Sequence, residues 1–304
     1  MEYKAFAEVA HVELTTKCNF KCDFCPLTHG ISRAITTISE GKAFQMVREI
    51  ADSQLAKSIS YHCLGEPFLV PYLGDLLNYA HKRGIYNRLV TNGLLLSKGH
   101  ARTEKSLEHC DLLDLSLRAS DQKSFTEICK GENESFADFI TGLNVFLERV
   151  ENGEFHELVV RLLIFVTEKT QSLLDNLGID YQITDSLPLK SEIEYTKRII
   201  LFLEQPIEWT EADRTVSRLQ AGFCEEIHYT YTILANGDLT PCAFDYDGKN
   251  AVGNIYTDGG IKSVLLSENY SRFQECFRNQ HVPSDFCATC PQLNQKKYKS
   301  KIVQ

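Results

Sequence analysis

The sequence predicts an α/β fold built on a parallel sheet, followed by a small α+β unit, and three observations predict it. From residue 9 to about 185, short β-rich runs alternate with amphipathic stretches of helical period. That alternation is the mark of consecutive β-α units, whose strands pair in parallel. Three of the helical stretches stop at a glycine, the residue that best adopts a left-handed C-terminal cap. From Cys224 onward the pattern changes to a hairpin, with runs at 229–234 and 239–242 flanking Asn236-Gly237, the dipeptide of a tight type I′ turn.

Taken in order, the predicted strands cover residues 9–15, 58–64, 87–91, 112–118, 158–166 and 180–184. Between them Ser39 is placed to cap a helix whose apolar residues Phe44, Val47, Ile50, Ala51 and Leu55 repeat at helical spacing. Leu73, Leu76, Leu77 and Ala80 mark a second helix before Gly84. Phe136, Phe139, Ile140, Leu143, Leu147 and Val150 mark another before Gly153, and Leu173, Leu174 and Leu177 one more before Gly178. Residues 186–222 read as a connector, either a cover over the mouth of the sheet or a surface linker. They mix a helical or extended run at 199–203 with Pro188, Pro206 and the single tryptophan, Trp209. After the hairpin come a strand-like stretch at 251–256 and an amphipathic helix at 261–278. The organisation is thus residues 1–185, the connector 186–222, and a C-terminal unit 223–304.

Strand alternation says which side chains share a face. His11, Glu13 and Thr15 lie opposite Val12 and Leu14, and Asp114, Ser116 and Arg118 lie opposite Leu113, Leu115 and Leu117. The apolar sets should pack on helices and the polar sets should face inward. By the same rule Ser60 and His62 point inward, with Ile59, Tyr61 and Cys63 outward. Arg161, on a face with Val159 and Leu163, is a further inward candidate. His62 precedes Gly65-Glu66-Pro67 and is a candidate for touching a substrate; a satisfied structural histidine is its alternative.

Composition removes several function classes. The chain has 304 residues, 43% hydrophobic and 24% charged, as in an ordinary globular protein. Its longest apolar run, residues 158–166, is broken by Arg161 and too short to span a bilayer. The net charge is -9 and the Lys and Arg are scattered, whereas a protein tracking a phosphate backbone needs a basic face; neither membrane nor nucleic acid is an expected partner. The basic cluster at 296–301 reads as a solvated end. There are eleven cysteines and no signal stretch, which points to the cytoplasm, where thiols stay reduced and clustered cysteines mean metal or catalysis.

The cysteines carry the chemistry. Cys18, Cys22 and Cys25 are spaced C-x3-C-x2-C on one loop after the first strand, and three thiolates so placed can hold three irons of a 4Fe-4S cluster. The fourth iron then stays open to bind a small molecule, as a catalytic zinc keeps a free position. A structural zinc completed by His29 is the rival reading. A second set, Cys224, Cys242, Cys287 and Cys290, frames the C-terminal unit, where four reduced cysteines ending in C-x2-C read as a structural zinc site or a second cluster.

The triad with Phe24 before its last cysteine, then Gly65-Glu66-Pro67, Thr91-Asn92-Gly93 and Ser116 at the end of a later strand, resembles the radical S-adenosylmethionine (SAM) superfamily. The resemblance covers nearly the whole chain. It implies a partial (β/α)6 radical SAM barrel over residues 1–185, two 4Fe-4S clusters with SAM on the open iron, and hydrogen abstraction from substrate by a 5′-deoxyadenosyl radical. It implies that Gly65 and Glu66 bind the SAM amino group, that Asn92 and Ser116 belong to the SAM site, that Arg161 pairs its carboxylate, and that Phe24 lies near the adenine. An electron donor of the flavodoxin or ferredoxin type is implied too. The arrangement of Cys224, Cys242, Cys287 and Cys290 is similar to the twitch, or shortened SPASM, domain, with one auxiliary cluster on all four. Together with His62 to Pro67 it resembles the 2-deoxy-scyllo-inosamine dehydrogenases and related carbohydrate-modifying members.

From that resemblance a small-molecule substrate is expected, an amino sugar, aminocyclitol or polyol oxidised at a carbinol carbon with the auxiliary cluster as electron acceptor. Ribosomal-peptide modification is an alternative, although a barrel pattern starting at residue 9 leaves no expected place for a leader-peptide-binding domain. A radical epimerase is the other alternative, and it needs a thiol in the cavity to return hydrogen. Cys129 is the first candidate, in a loop after the fourth strand, and Cys276 the second, although it shares a helical face with Phe273 and Phe277. With Cys63 outward and Cys110 at the far end of its strand, oxidation is the expected outcome.

Overall fold

The computed structural model describes residues 6–129, 134–183, 190–205 and 219–294. Residues 186–189 and 206–218 of the predicted connector, with Pro188, Pro206 and Trp209, and the basic stretch at 296–301 lie outside these residues. Among them ten strands form one sheet in the order β10-β9-β8-β1-β2-β3-β4-β5-β7-β6. The first five, β1 (Ala7–Val12), β2 (Ala56–Tyr61), β3 (Tyr86–Thr91), β4 (Leu112–Leu117) and β5 (Val159–Phe165), stand where the sequence placed them and pair in parallel.

The sixth parallel strand is a correction. Residues 180–183 take no regular structure. The place beside β5 goes to β7 (Ile199–Glu204), from the stretch read as a connector, with β6 (Lys190–Glu194) antiparallel on its outer edge. Ile199 to Leu203 offers apolar side chains to both faces, and five of the six β7 residues are buried, as a strand covered on both sides requires.

The C-terminal unit joins the same sheet. Its hairpin strand β8 (Thr230–Ile233) runs parallel to β1, pairing Val9 with Thr230 through Val12 with Ile233, which removes the free edge that β1 would otherwise present. β9 (Asp238–Thr240) returns antiparallel to β8, and β10 is only Gly253–Asn254. The turn is not type I′: Gly237 has φ +93° while Asn236 keeps a negative φ. The Asn236 amide instead donates to Asp238 and its oxygen accepts from the Asp238 N–H, a local bond that favours an ordinary turn followed by one left-handed glycine.

Helices close the outer face. Glu40–Asp52 buries Ala43, Met46, Val47 and Ile50, Leu73–His81 buries Leu73, Leu76, Leu77 and Ala80, and Phe136–Glu151 buries seven apolar residues. Gly84, Gly153 and Gly178 all take the predicted positive φ. The expected helix over 261–278 is two, Ile261–Leu265 and Glu268–Arg278, because Ser267 caps the second through its hydroxyl to the Tyr270 N–H. One core runs from Ala7 to Tyr270, shared by barrel and hairpin. A small separate core of Ile227, Phe277 and Leu293 surrounds the C-terminal cysteines.

Candidate active site

Three sequence motifs meet at the top of the barrel. The loop carrying Cys18, Cys22 and Cys25 leaves β1 and is pinned by the Lys21 N–H to the Ile128 carbonyl and by the Lys17 N–H to the Thr15 hydroxyl. Gly65 lies against this loop so closely that a Cβ would stand 2.1 Å from the Thr15 carbonyl oxygen, and its φ is +79°. Next to it the Glu66 N–H donates to the Lys17 carbonyl. Asn92 reaches the loop from β3, donating to the Asn19 side chain at 2.7 Å and to the Cys18 sulfur at 3.8 Å. His29, the rival zinc ligand, contacts the Asp23 carbonyl through Nε2.

Glu66 is where the structure departs from expectation. Its buried carboxylate accepts from the Phe68 N–H at 3.1 Å, the Thr91 hydroxyl at 2.9 Å and the Asn92 N–H at 2.9 Å. Burial pushes its pKa up to about 7 against these donors. The side chain therefore binds the two neighbouring turns to each other, and what it offers a ligand at the cavity wall is limited to its remaining lone pairs. Glu66→Ala leaves buried donors without a partner, a cost on the order of 1–3 kcal/mol each. We expect that variant to lose thermal stability as well as SAM affinity; weaker SAM binding at an unchanged melting temperature would show the carboxylate serving the ligand alone.

Beneath the loop lies a cavity of about 430 Å³ lined by all three cysteines and by residues of β2 to β5. Ser60, His62, Arg88, Asp114, Ser116, Arg118 and Arg161 give its polar wall. Phe24, its ring edge-on to Phe165 at 5.9 Å, and Leu163 give an apolar side. The inward faces of β4 and β5 are thus the predicted ones. Glu13 and His11 do not line the cavity: Glu13 is fully buried in an ion pair with Arg33, and His11 Nδ1 shares a 2.7 Å hydrogen bond with His62 Nε2. Burial, then the charge of Arg88, pushes the His62 pKa down to about 4.

Arg161 is already paired. Asp114 stands directly opposite it in the β4–β5 register and takes Nε and Nη2 at 2.6 and 2.8 Å, while Glu192 of β6 stands 3.6 Å from Nη1. Burial opposes the Asp114 charge, yet Arg161 holds its carboxyl below the usual range. Arg118, set inward by alternation but given no role there, is another guanidinium on this wall. It lies 3.5 Å over the Phe165 ring and 3.5 Å from Glu204, and its Nη1 is buried with no hydrogen-bond partner. Two strand positions from Ser116, Arg118 replaces Arg161 as the candidate for a SAM carboxylate.

The thiol candidates are also rearranged. Cys129 is buried in the core and Cys276 sits on the helix Glu268–Arg278, and neither lines the cavity. Cys63, expected outward, does line it. β2 ends at Tyr61, so strand alternation no longer governs the chain two residues later. Burial pushes the Cys63 thiol well above its ordinary pKa.

Cys224, Cys242, Cys287 and Cys290 converge on a second, smaller cavity walled by Ile227, Phe273, Phe277, Phe286 and Leu293. The Phe244 N–H donates to the Cys242 sulfur at 3.2 Å, the Gln292 N–H to Cys290 at 3.4 Å and the Asn250 amide to Cys287 at 3.5 Å. Such donors stabilise sulfur as a ligand. Burial raises Cys18 and Cys224 to about 11 and Cys22 and Cys287 to about 12, so ligation itself must drive their deprotonation. Three thiols at an open rim fit a cluster with one free iron, and four in a closed apolar pocket fit a fully ligated one.

The chain belongs to the radical SAM superfamily, whose model matches residues 12–173, and the iron-sulfur cluster-binding domain called SPASM matches residues 224–291. It is accordingly a radical SAM enzyme whose cofactors are SAM, a 4Fe-4S cluster in the barrel and further iron-sulfur in the C-terminal domain. Among particular relatives it is similar to the antilisterial bacteriocin subtilosin biosynthesis protein AlbA of Bacillus subtilis, at 22% identity over 330 residues, 97% of this chain and 70% of AlbA. It is also similar to the PqqA peptide cyclase of Ruegeria pomeroyi, at 33% over 105 residues, 33% of this chain and 27% of that protein. Its fold is that of BtrN in complex with AdoMet and 2-DOIA, with a TM-score of 0.57 at 15% identity over 96% of this chain and 94% of BtrN. It is shared too by anSMEcpe with bound AdoMet, with a TM-score of 0.60 at 14% identity over 94% and 89%. Among the described residues no helix is long and apolar enough to cross a membrane.

Proposed function

We propose that this enzyme takes a hydrogen atom from a carbinol carbon of a small polar molecule, an amino sugar, aminocyclitol or related polyol. The observation that carries the reading is the polar wall of Ser60, His62, Asp114 and Arg161 in the same cavity as the three rim cysteines. When bound, the cluster and SAM supply a 5′-deoxyadenosyl radical, with the reducing electron from a flavodoxin- or ferredoxin-type donor. Cys18, Cys22 and Cys25 hold the cluster. Ser116 and Arg118 hold SAM, with Phe24 and Phe165 as the apolar side against which an adenine packs. His62, kept neutral by its surroundings and oriented by His11, exchanges a hydrogen bond or a proton with a substrate hydroxyl. No disulfide joins any of the eleven cysteines, which supports a reducing, cytoplasmic setting.

Oxidation to a carbonyl and inversion at the same carbon share this first step. Oxidation is supported by the fold shared with BtrN and by the auxiliary pocket as an electron sink. Inversion is a second reading, supported by Cys63 on the cavity wall. The common step is tested by offering aminocyclitols, amino sugars and polyols deuterated at the carbinol carbons. Deuterium should pass into 5′-deoxyadenosine with one of them; transfer only from a peptide substrate would sink the reading.

His62 gives a pH prediction. Its pKa falls from the ordinary value near 6.5 to about 4 on folding, so between these values the unfolded chain binds the extra proton. Stability is therefore complete above pH 6.5 and declines as pH falls toward 4. Between pH 7 and 5 the loss from this group is up to about 2 kcal/mol. Urea unfolding of His62→Phe should show a correspondingly flatter pH dependence, and an identical slope in both proteins would refute it.

A further inference from the structure

Seven of the eleven cysteines fall to the two clusters, and Cys110 and Cys129 are buried in the core. Cys276 lines neither cavity, which leaves Cys63 as the non-ligand thiol on the barrel cavity's wall among the described residues. Its sulfur donates to the carbonyl of Ala243 at 3.5 Å. Ala243 belongs to the partition between the two cavities: Phe244 lines the barrel cavity, Cys242 lines the auxiliary one, and the Phe244 N–H donates to the Cys242 sulfur. The same barrel cavity carries Arg118, whose Nη1 has no partner, and Arg88, whose Nε has none, which marks it as a place built for a polar ligand. Cys63 thus faces the reacting space on one side and the auxiliary cluster's ligand segment on the other.

We propose that Cys63 is the hydrogen-atom donor of this cavity, quenching the substrate radical so that the carbon is inverted rather than oxidised. This rests on the reading that a carbon-centred radical forms there. An S–H bond is weaker than the C–H bond formed in its place, so the transfer runs downhill. The S–H bond of Cys63 breaks, a C–H bond forms on the opposite face of the carbon, and a thiyl radical remains. One electron from the flavodoxin- or ferredoxin-class donor, delivered through the partition at Ala243 and Cys242, and one proton from water restore the thiol. With the electron that cleaves SAM, each turnover consumes two electrons, one proton and one SAM, and substrate and product are isomers.

The test needs no substrate, because a 5′-deoxyadenosyl radical with nothing else to attack takes hydrogen from the same thiol, and thiol hydrogens exchange with solvent. Cluster-loaded protein is given SAM and dithionite in deuterated water, and the 5′-deoxyadenosine is weighed by mass spectrometry. We expect one deuterium in the wild type and in Cys276→Ser, and a loss of at least tenfold in the labelled fraction in both Cys63→Ala and Cys63→Ser. Cys63→Ser keeps a hydroxyl donor for the Ala243 carbonyl, so a fall in both variants reports the hydrogen atom and not the hydrogen bond. Unlabelled product in the wild type, or label that persists in Cys63→Ala, overturns the assignment. Absence of 5′-deoxyadenosine from the wild type would instead overturn the hydrogen-abstraction reading beneath it.

Discussion

Anaerobically reconstituted protein with Cys18, Cys22 and Cys25 all changed to Ala is expected to lose SAM cleavage entirely while keeping about half of the wild-type iron and acid-labile sulfide. The three side chains lie on one loop at the cavity rim, and the other four cysteines sit in a separate apolar pocket with its own small core. Removing the first set therefore leaves the second able to fill. The complementary variant, Cys287→Ala with Cys290→Ala, should keep the rim cluster. A triple variant that still forms 5′-deoxyadenosine under reductant would disprove the catalytic assignment, and zinc in place of iron in either pocket would disprove the cluster assignment.

Glu13→Ala is expected to destabilise the whole molecule by about 3–5 kcal/mol, the cost of breaking a buried ion pair by removing one partner. Glu13 has no exposed surface and holds both terminal nitrogens of Arg33 at 2.6 Å. It also accepts from the Leu64 N–H at 3.2 Å and the Ala235 N–H at 3.1 Å, and Arg33 Nε reaches the Tyr246 carbonyl at 2.6 Å. One carboxylate thus fastens the Gly-Glu-Pro turn, the segment after the cluster loop and the C-terminal hairpin to β1. Its loss leaves a buried guanidinium and two backbone donors unsatisfied, against a total stability of roughly 5–15 kcal/mol for a typical protein. Chemical denaturation measures it, and a change under about 1 kcal/mol would show the pair to be dispensable. The Glu13→Gln, Arg33→Met double variant, free of the stranded charge, should recover part of the loss.

The residues of the candidate site differ in how far the sequence revealed them. Cys18, Cys22 and Cys25 are local in the chain, so their spacing alone puts them on one loop. Ser116 and Asp114 follow from strict alternation along a regular strand. Asn92 is found by its motif, but its contact with Cys18 joins residues 74 positions apart and no period announces it. Arg118 and Arg161 are the same residue type on neighbouring segments, and which one keeps an unpartnered guanidinium nitrogen depends on Asp114 standing opposite Arg161 in the register. Phe244 lines the barrel cavity from a segment 220 residues past the cluster loop, beyond the reach of any local pattern.

The sequence by itself determined the radical SAM class, the loop that gathers Cys18, Cys22 and Cys25, five of the parallel strands, and the glycines after three of the helices, because each rests on residues close together in the chain. Tertiary structure alone decided the rest. It put β7 rather than residues 180–183 beside β5, since the strand able to bury both faces wins the covered position. It joined the C-terminal hairpin to β1, since an open edge is satisfied by whichever strand the fold brings to it. It turned Cys63 into the cavity, since side-chain alternation holds only while the backbone stays extended and hydrogen-bonded, and β2 stops two residues earlier.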